Sequence, residues 1–440
     1  MRIREALRRF VCGMIAAPLF LALEGAVSPQ MFSHASATSN TSTEPLFRNF
    51  NGVVYLPVPE ISKQLGIGWA REPFNWTLIE PKKGVWNWAQ TDQKVNGAEV
   101  EGVQILPLLA YNASWDVYAG ANGVSPPKDV GAWKEFVEHV VSRYSNPPYN
   151  LRYFQIWNEP TKQAGFWTGT DQQFVDTVYL PAAEIIRRHH CYVVFGGWPQ
   201  SNSLQEFDSV LAYHDAWRWT DILDVHYRDV AAWHYLYNKW VKTGKCRGIW
   251  QTEVGYTAAP NALPALYLPS LAFALSKGMT NPDAFKLFWY AWWGAGPDAP
   301  KCLVAAPNNL TQHGHRLKVL NDLLGAGPLS SYTQFSTQPR LSTETVNGID
   351  SVYGFQVGPN RTVVALIFEK VHFASIPMVN VTLSLPKRPG SVSMVTVTGE
   401  RRTPQSRFTG SQLQVEVPVK LLGSDCPACV NTVGYIEADY

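Results

Sequence analysis

Eight short apolar runs alternate with longer amphipathic stretches between residues 50 and 330, and this alternation restricts the folds open to the chain. The runs cover residues 53–56, 67–71, 103–109, 151–157, 192–196, 222–226, 248–252 and 284–290. Apolar runs of this length bounded by turn residues are typical of strands buried in a parallel sheet. Stretches between them, such as 130–144, have apolar residues at helical spacing. The pattern predicts the fold class α/β, with a (β/α)8 TIM barrel.

Two further stretches are predicted helices, residues 171–189, with a kink at Pro181, and residues 314–324. An open doubly wound sheet would also fit the alternation, but no strand is followed by the glycine fingerprint of that fold. After Gly327 the pattern changes to short alternating runs. Strands are predicted there at 352–357, 362–368, 379–385, 391–397, 412–417 and 433–437. We therefore predict a barrel over residues 50–327 and an all-β sandwich domain over residues 328–440.

The N-terminal segment has the pattern of an export signal. Four arginines precede an apolar stretch over residues 11–22, which is too short to span a membrane comfortably. We expect residues 1–36 to be a signal peptide and residues 37–49 a linker. The mature protein would then be exported, periplasmic or extracellular, without stable membrane insertion; an uncleaved N-terminal anchor is the alternative.

Charge and cysteine content exclude other classes of protein. The formal net charge of the 440 residues is +2, and the predicted signal carries a net charge of the same size, so the mature chain is near neutral. No nucleic-acid partner is expected, and we expect a monomer. Cys426 and Cys429 form a CxxC that favours a small disulfide loop over a metal site, while Cys191 and Cys246 are predicted core thiols. No metal or cofactor is predicted.

Two glutamates stand at the ends of predicted strands. Glu159 follows the fourth strand and Glu253 ends the seventh. A carboxylate at the end of a buried strand is costly unless it has a partner or a function. Because the C-terminal ends of barrel strands meet on one face, the two carboxylates should converge. A convergent pair of acids is what cleavage of a glycosidic bond requires.

The residues around both glutamates resemble those of clan A of the glycoside hydrolases. Within that clan they are most similar to the family 39-like β-glycosidases and related exopolysaccharide endoglycosidases. The similar segments are Asn158-Glu159-Pro160, Thr252-Glu253-Val254-Gly255, residues 71–76, residues 79–88 with Asp92, Phe166-Trp167 and His226-Tyr227. Together they place the resemblance over residues 50 to 330.

The resemblance implies that Glu159 is the general acid/base and Glu253 the nucleophile of a retaining mechanism. The two carboxyl groups should then lie about 5–5.5 Å apart. Arg71 and Tyr227 are candidate donors to Glu253, and Asn158 is placed to bind the 2-hydroxyl of the substrate. Glu80 is expected to be a structural carboxylate.

Further residues at strand ends are candidates for contact with the sugar. They are His226, Tyr111, Trp115, Trp198 and Trp292. The predicted substrate is an oligo- or polysaccharide, with xylosides, mannans, glucans and mixed exopolysaccharides all open. Two alternatives stand beside hydrolysis: a catalytically inactive barrel that binds polysaccharide, and a transglycosylase that uses the same site.

Overall fold

The computed structural model describes residues 46–256, 259–294, 296–305, 309–343, 350–369, 375–422 and 429–440. The α-helices are α1 (Leu46–Phe50), α2 (Pro59–Leu65), α3 (Trp76–Ile79), α4 (Ala89–Glu101), α5 (Val130–Ser145), α6 (Asp171–Phe174), α7 (Leu180–Arg188), α8 (Leu204–Ala212), α9 (Val230–Leu236), α10 (Ala262–Ser276) and α11 (Gln312–Leu324). Segments Val175–Tyr179 and Tyr237–Val241 are π-helical, and Tyr213–Trp219, Gly296–Lys301 and Val419–Leu421 are 3-10 helical. No helix in this part of the chain is both long and apolar enough to cross a membrane.

The first strands form a closed parallel barrel. They are β1 (Asn51–Val54), β2 (Trp69–Phe74), β3 (Gln104–Leu109), β4 (Tyr153–Ile156), β5 (Tyr192–Val194), β6 (Ile222–His226), β7 (Gly248–Val254) and β8 (Phe285–Trp289). Among the described residues they pair in sequence order, and β8 returns to β1. The predicted (β/α)8 barrel is confirmed, and each strand overlaps its predicted run.

The inside of the barrel is apolar towards the N-terminal ends of the strands and polar towards their C-terminal ends. The apolar layer consists of Trp69, Leu106, Val194, Ile222, Trp250 and Phe288. Residues two apart on a strand point to the same face. The polar layer, two residues further along β2, β4, β6 and β7, consists of Arg71, Gln155, Asp224 and Thr252, all buried. This polar layer supports the functional site.

The helix predicted over residues 171–189, with a kink at Pro181, is not α-helical throughout. The turn before Pro181, Val175–Tyr179, is π-helical, and this proline falls in the first turn of α7. Proline has no N–H to donate and is tolerated in the first turn of a helix, where that donor has no intrahelical partner. The local change of helical register therefore accommodates the proline.

The C-terminal residues form two antiparallel sheets. Their strands are β11 (Leu329–Ser331), β12 (Phe335–Gln338), β13 (Ser351–Val357), β14 (Arg361–Glu369), β15 (Met378–Ser384), β16 (Ser391–Thr396), β17 (Arg401–Arg402), β18 (Gln405–Thr409), β19 (Gln412–Pro418) and β20 (Asn431–Asp439), and a small ribbon of β9 (Val304–Ala305) and β10 (Asn309–Leu310) precedes them. In the described residues the sheet orders are β11-β13-β14-β20-β16-β17 and β12-β15-β19-β18. Side chains such as Leu366 and Val415 fill the core between them. The all-β domain is confirmed.

The larger sheet is buried on both faces. Phe355, Val363 and Tyr435 lie on the face opposite the sandwich core and belong to the same apolar cluster as the barrel. Helix α10 makes its contacts with this sheet through β11, β13 and β20. The accessory domain is therefore packed against the barrel and is not tethered to it by a linker alone.

The cysteines divide as their sequence setting suggested. Cys191, Cys246 and Cys302 are buried free thiols. Cys429 is disulfide-bonded, whereas Cys426 lies outside the described residues, as do residues 1–45 with the predicted signal and most of the linker.

Candidate active site

Glu159 and Glu253 lie at the same end of the barrel, and both are close to the same nitrogen of the His226 ring. Nδ1 of His226 is 2.9 Å from Oε1 of Glu159 and 4.0 Å from Oε2 of Glu253. Those two carboxylate oxygens are therefore at most about 7 Å apart. This upper limit on the distance places both carboxyl groups at one site. The separation of about 5–5.5 Å that a retaining mechanism needs stays a prediction.

The loop after β4 has an unusual backbone on both sides of Asn158. Trp157 and Glu159 have φ angles of 69° and 44°, in the left-handed region that non-glycine residues rarely adopt. The amide of Glu159 donates to the carbonyl of Gly196 at the end of β5. A Cβ on Gly196 would lie 2.4 Å from the carbonyl oxygen of Ile156, so glycine is needed for this approach. Strained backbone of this kind is concentrated at functional sites.

Arg71 connects the two glutamate loops. Its Nη1 lies 3.1 Å from Oε2 of Glu253, and its Nη2 donates to Oδ1 of Asn158 at 2.6 Å. Its Nε donates to Gln155 at 2.7 Å. A guanidinium presents its donors in a planar fork, and here each nitrogen of the fork has its own partner. Arg71 therefore lies beside Glu253, as its strand position predicted.

The surroundings of the two glutamates differ. Burial raises the pKa of Glu159 to about 7, and only the more distant charge of Arg71 opposes this effect. Burial also lowers the pKa of His226 to about 3, so this ring is neutral and supplies no positive charge to Glu159. Glu253 has Arg71 on one oxygen and the hydroxyl of Tyr227 at 3.4 Å from the other. One carboxyl is thus kept protonated near neutral pH, and the other receives donors suited to its ionised form.

The amide of Asn158 is held on both sides. Its Oδ1 accepts from Arg71, and its Nδ2 donates to the hydroxyl of Tyr111 at 3.0 Å. The Tyr111 ring stacks on Phe166, with centroids 6.0 Å apart and 7° between the planes. Tyr111 therefore supports Asn158, and the strand-end pattern did not predict this role for Tyr111.

Two of the predicted sugar-contact residues are placed elsewhere. The Trp198 ring is 1% exposed, stacks on Phe207 and donates to the carbonyl of Ser203. It is a packing residue because its whole surface is occupied, and its assignment to substrate binding is wrong. His226 is also fully buried with both ring nitrogens paired. It is a partner of Glu159 and not a substrate contact.

The remaining tryptophans lie at the rim. Trp115 packs edge-on against Trp76 and donates to the carbonyl of Glu80, so it belongs to the loop support after β2. Trp292 is half-buried beside Trp293, and its contact with a sugar stays a prediction. Glu80 is buried and accepts from the Trp76 indole and the Gly84 amide, as expected of a structural carboxylate.

Of the polar layer beneath the site, only Arg71 was among the site residues predicted from the sequence; Gln155, Asp224 and Thr252 were not. Oδ2 of Asp224 accepts from the Thr252 hydroxyl at 2.6 Å and from the side-chain amide of Gln155. Oγ1 of Thr252 is also 3.1 Å from Nε2 of His226. The signal was available, since Asp224 and His226 occupy alternate positions of one strand and point to the same face.

A cavity of about 650 Å³ opens beside Tyr227. Its walls come from the loop after β6, from α8, α9 and α10, and from Asn431 of the accessory domain. Tyr235 and Tyr256 contribute further rings. In the part of the chain that the structure describes, no group of three His, Cys, Asp or Glu side chains is arranged to hold a metal ion.

The closed parallel barrel has one glutamate after β4 and a second near the end of β7, which is the arrangement that the resemblance to clan A glycoside hydrolases implied. Residues 103–216 match the model of the glycosyl hydrolases family 39. The matched segment contains Glu159 and most of the elements from β3 to α8.

The chain is also similar to a known relative and to solved structures. A β-xylosidase of Caldicellulosiruptor saccharolyticus is 26% identical over 99 residues, which are 22% of this chain and 20% of that protein. The chain thus spans about a fifth of the length of the relative that it matches. A family 39 glycoside hydrolase from Bacteroides cellulosilyticus WH2 has a TM-score of 0.61 at 14% identity, over 90% of this chain and 81% of the other. A GH30 endoxylanase from Clostridium papyrosolvens C71 has a TM-score of 0.59 at 13% identity, over 91% and 98%. At these identities the structures show a shared fold.

Proposed function

We propose that this protein is a retaining glycoside hydrolase that cleaves O-glycosidic bonds by double displacement. The observation that carries the proposal is the unequal treatment of two carboxyl groups held around one histidine. Glu159, whose side chain is 14% exposed, lies beside a neutral ring, whereas Glu253 receives the Arg71 guanidinium and the Tyr227 hydroxyl. Two carboxyls at one site with separated roles are what this chemistry requires.

In the first step Glu253 would attack the anomeric carbon while Glu159 gives its proton to the departing glycosidic oxygen. The carbon–oxygen bond to the leaving group breaks as the bond to Oε of Glu253 forms, which leaves a covalent glycosyl ester. Glu159 suits this part because its pKa of about 7 keeps a proton available at neutral pH. Arg71 must release part of its interaction with Glu253 as that carboxylate loses its charge.

In the second step Glu159, now ionised, would take a proton from water, and the hydroxide would displace Glu253 from the anomeric carbon. The same high pKa that makes Glu159 a proton donor makes its carboxylate an effective base. Asn158 is fixed by Arg71 and Tyr111, and its amide is proposed to bind the sugar 2-hydroxyl during both steps. Preorganisation of this amide avoids the cost of orienting it in the transition state.

For the substrate we propose an oligo- or polysaccharide, with β-xylosides first among the candidates. The support is the β-xylosidase matched by sequence and the endoxylanase matched in fold. The cavity beside Tyr227 has a volume within the range of about 300–1,000 Å³ that is typical of ligand sites, and its lining includes Tyr227 but neither glutamate.

The test is a hydrolysis screen of aryl glycosides, beginning with β-xylosides, and of xylans, mannans and glucans. Wild type is compared with Glu159→Gln and Glu253→Gln, which keep the size of the side chains and remove the acid chemistry. Proton NMR of the first product should show the anomer of the substrate. An inverted first product would rule out the retaining mechanism.

Two other outcomes of the same screen identify the rival functions. Binding of a polysaccharide without turnover, unchanged in both Gln variants, would indicate a catalytically inactive binding barrel. Products longer than the substrate at high acceptor concentration would indicate a transglycosylase, because the glycosyl ester can react with a sugar hydroxyl as well as with water.

We further propose that the protein is exported and acts as a monomer. The basic and apolar N-terminal segment supports export, and mass spectrometry of the N-terminus in secreted and cell fractions would test it. An intact Met1 in cell extracts alone would contradict this proposal. Sedimentation equilibrium would give the oligomeric state.

A further inference from the structure

A chain of hydrogen bonds leads from Glu159 into the barrel. Oε1 of Glu159 is 2.9 Å from Nδ1 of His226, whose Nε2 is 3.1 Å from Oγ1 of Thr252. That hydroxyl is in turn 2.6 Å from Oδ2 of Asp224. Apart from the carboxyl of Glu159, these side chains are buried, so each proton in the chain must be assigned to a partner within it.

The donors and acceptors around Thr252 fix the direction of this chain. Its hydroxyl has one hydrogen and two lone pairs. Burial raises the pKa of Asp224 to about 7, whereas the charge of Arg71 and the hydrogen bonds from Thr252 lower it. In its ionised form Asp224 accepts the hydrogen of the Thr252 hydroxyl and also accepts from the Thr252 amide and the Gln155 amide. Gln155 Nε2 donates to one lone pair of Thr252 Oγ1 at 3.0 Å. The second lone pair then remains for His226, so Nε2 must carry a hydrogen.

We propose that Asp224, acting through the Thr252 hydroxyl, holds the neutral His226 ring in the tautomer with hydrogen on Nε2, so that Nδ1 accepts a hydrogen bond from protonated Glu159. The inference rests on the proposed function, because it gives the protonated form of Glu159 a part in the reaction. Asp224 and Thr252 are positioning residues, since they act through His226 and do not touch the sugar.

The consequence for Glu159 follows from the lone pair on Nδ1. A protonated Glu159 donates to that lone pair, whereas an ionised Glu159 meets it with its own lone pairs and gains no hydrogen bond. The protonated acid is therefore favoured, in the same direction as the effect of burial. The other tautomer would do the opposite, because a hydrogen on Nδ1 would bind and favour the carboxylate.

Other charged and titratable groups also face Glu159 and His226, and their positions are the same for either tautomer of the ring. Around Glu159 and His226 they are Arg71, Tyr111, Asp224, Tyr227 and Glu253. Asp224 is the only one of these that reaches the ring through Thr252 in the described contacts. The direction of the hydrogen-bond chain therefore depends on the Thr252 hydroxyl.

The decisive variants are Thr252→Val, which keeps the branched shape and removes the hydroxyl, and Thr252→Ser, which keeps the hydroxyl. The protein is labelled with ¹⁵N at its 10 histidines, and the His226 signals are identified by their loss in His226→Gln. Two-bond ¹H–¹⁵N spectra distinguish the two neutral tautomers. Wild type and Thr252→Ser should show hydrogen on Nε2, and Thr252→Val should shift the ring towards hydrogen on Nδ1.

A second readout follows the acid itself. In Thr252→Val the alkaline limb of the kcat/KM profile should move down by about one pH unit, a roughly tenfold loss of activity on that side, and Thr252→Ser should restore it. Asp224→Asn should move the tautomer and the limb in the same direction. Hydrogen on Nδ1 in wild type, or identical spectra for Thr252→Val and Thr252→Ser, would overturn the proposal. The spectra need no substrate, so they decide this point even if no glycoside is cleaved.

Discussion

The guanidinium of Arg71 and the carboxylate of Glu253 form an ion pair at the mouth of the barrel, with Nη1 3.1 Å from Oε2. The side chain of Arg71 is 4% exposed and that of Glu253 is 18% exposed. Water therefore screens the pair little, and the two charges depend on each other. Because Arg71 also holds Asn158 and Gln155, one side chain connects the proposed nucleophile to the loop of the proposed acid.

Replacing Arg71 by Met should move the acidic limb of the kcat/KM profile to higher pH. Glu253 would lose the cation that favours its ionised form, and Asn158 would lose its orienting donor. Loss of one partner from a buried pair typically lowers the free energy of unfolding by about 3–5 kcal/mol. Separately, the misplacement of Glu253 and Asn158 should lower kcat/KM by about a hundredfold or more, which corresponds to about 2.7 kcal/mol in the transition state. Arg71→Lys should recover little, since an ammonium cannot present three donors in a plane.

Circular dichroism of Arg71→Met provides the control for folding, because the substitution leaves the strand intact. If the variant is folded and its acidic limb stays at the wild-type pH, Arg71 is a scaffold residue and has no part in the chemistry.

The alkaline limb of the wild-type profile should lie near pH 7. Burial raises the pKa of Glu159 to about 7, and the proposed acid works only while protonated. Activity is therefore fully present below that pH and is lost as pH rises through it. The measurement is kcat/KM from pH 4 to 10 for a substrate with a poor leaving group, such as an alkyl glycoside. A limb two or more units higher would assign the proton donor to another group.

The roles of the two glutamates should be distinguishable when substrates with good and poor leaving groups are compared. Glu159→Ala should retain the first step with dinitrophenyl glycosides, whose leaving groups need no proton. Its activity on alkyl glycosides should fall by a factor of about 10² to 10⁴. Glu253→Ala should be inactive on both, and azide should restore cleavage with an inverted glycosyl azide as product. Equal losses for good and poor leaving groups in Glu159→Ala would remove it from the acid role.

The barrel was predictable because each of its strands is a short apolar run closed by a turn. Ile222–His226 has the predicted bounds. Strands such as β12 and β18 were missed, since most of their residues are half-buried or exposed and show no apolar run. Strands of this kind are stabilised by their pairing with β15 and β19, which a local sequence pattern does not contain.

The positions of Glu159 and Glu253 were predictable for a different reason. A charged residue directly after a buried strand stands out from its neighbours, and strand order brings such residues to one face. Aromatic residues at strand ends give no such signal, because a ring can turn towards the cleft or towards a helix. Trp198 turns towards Phe207 in α8, and the sequence at that point is compatible with either direction.

This difference between aromatic residues can be tested with a matched pair of substitutions, Tyr111→Phe and Trp198→Phe, each of which removes one hydrogen-bonding group from a ring. The Tyr111 hydroxyl accepts from Asn158, so its loss should lower kcat/KM about tenfold while the melting temperature changes little. The Trp198 indole donates to Ser203 and fills a buried site. Its replacement should lower the free energy of unfolding by about 2–4 kcal/mol and leave kcat and KM of the folded enzyme unchanged. Steady-state kinetics and urea denaturation of both variants give the comparison. A higher KM in Trp198→Phe would return Trp198 to the substrate site, and unchanged kinetics in Tyr111→Phe would show that Asn158 keeps its orientation through Arg71 alone.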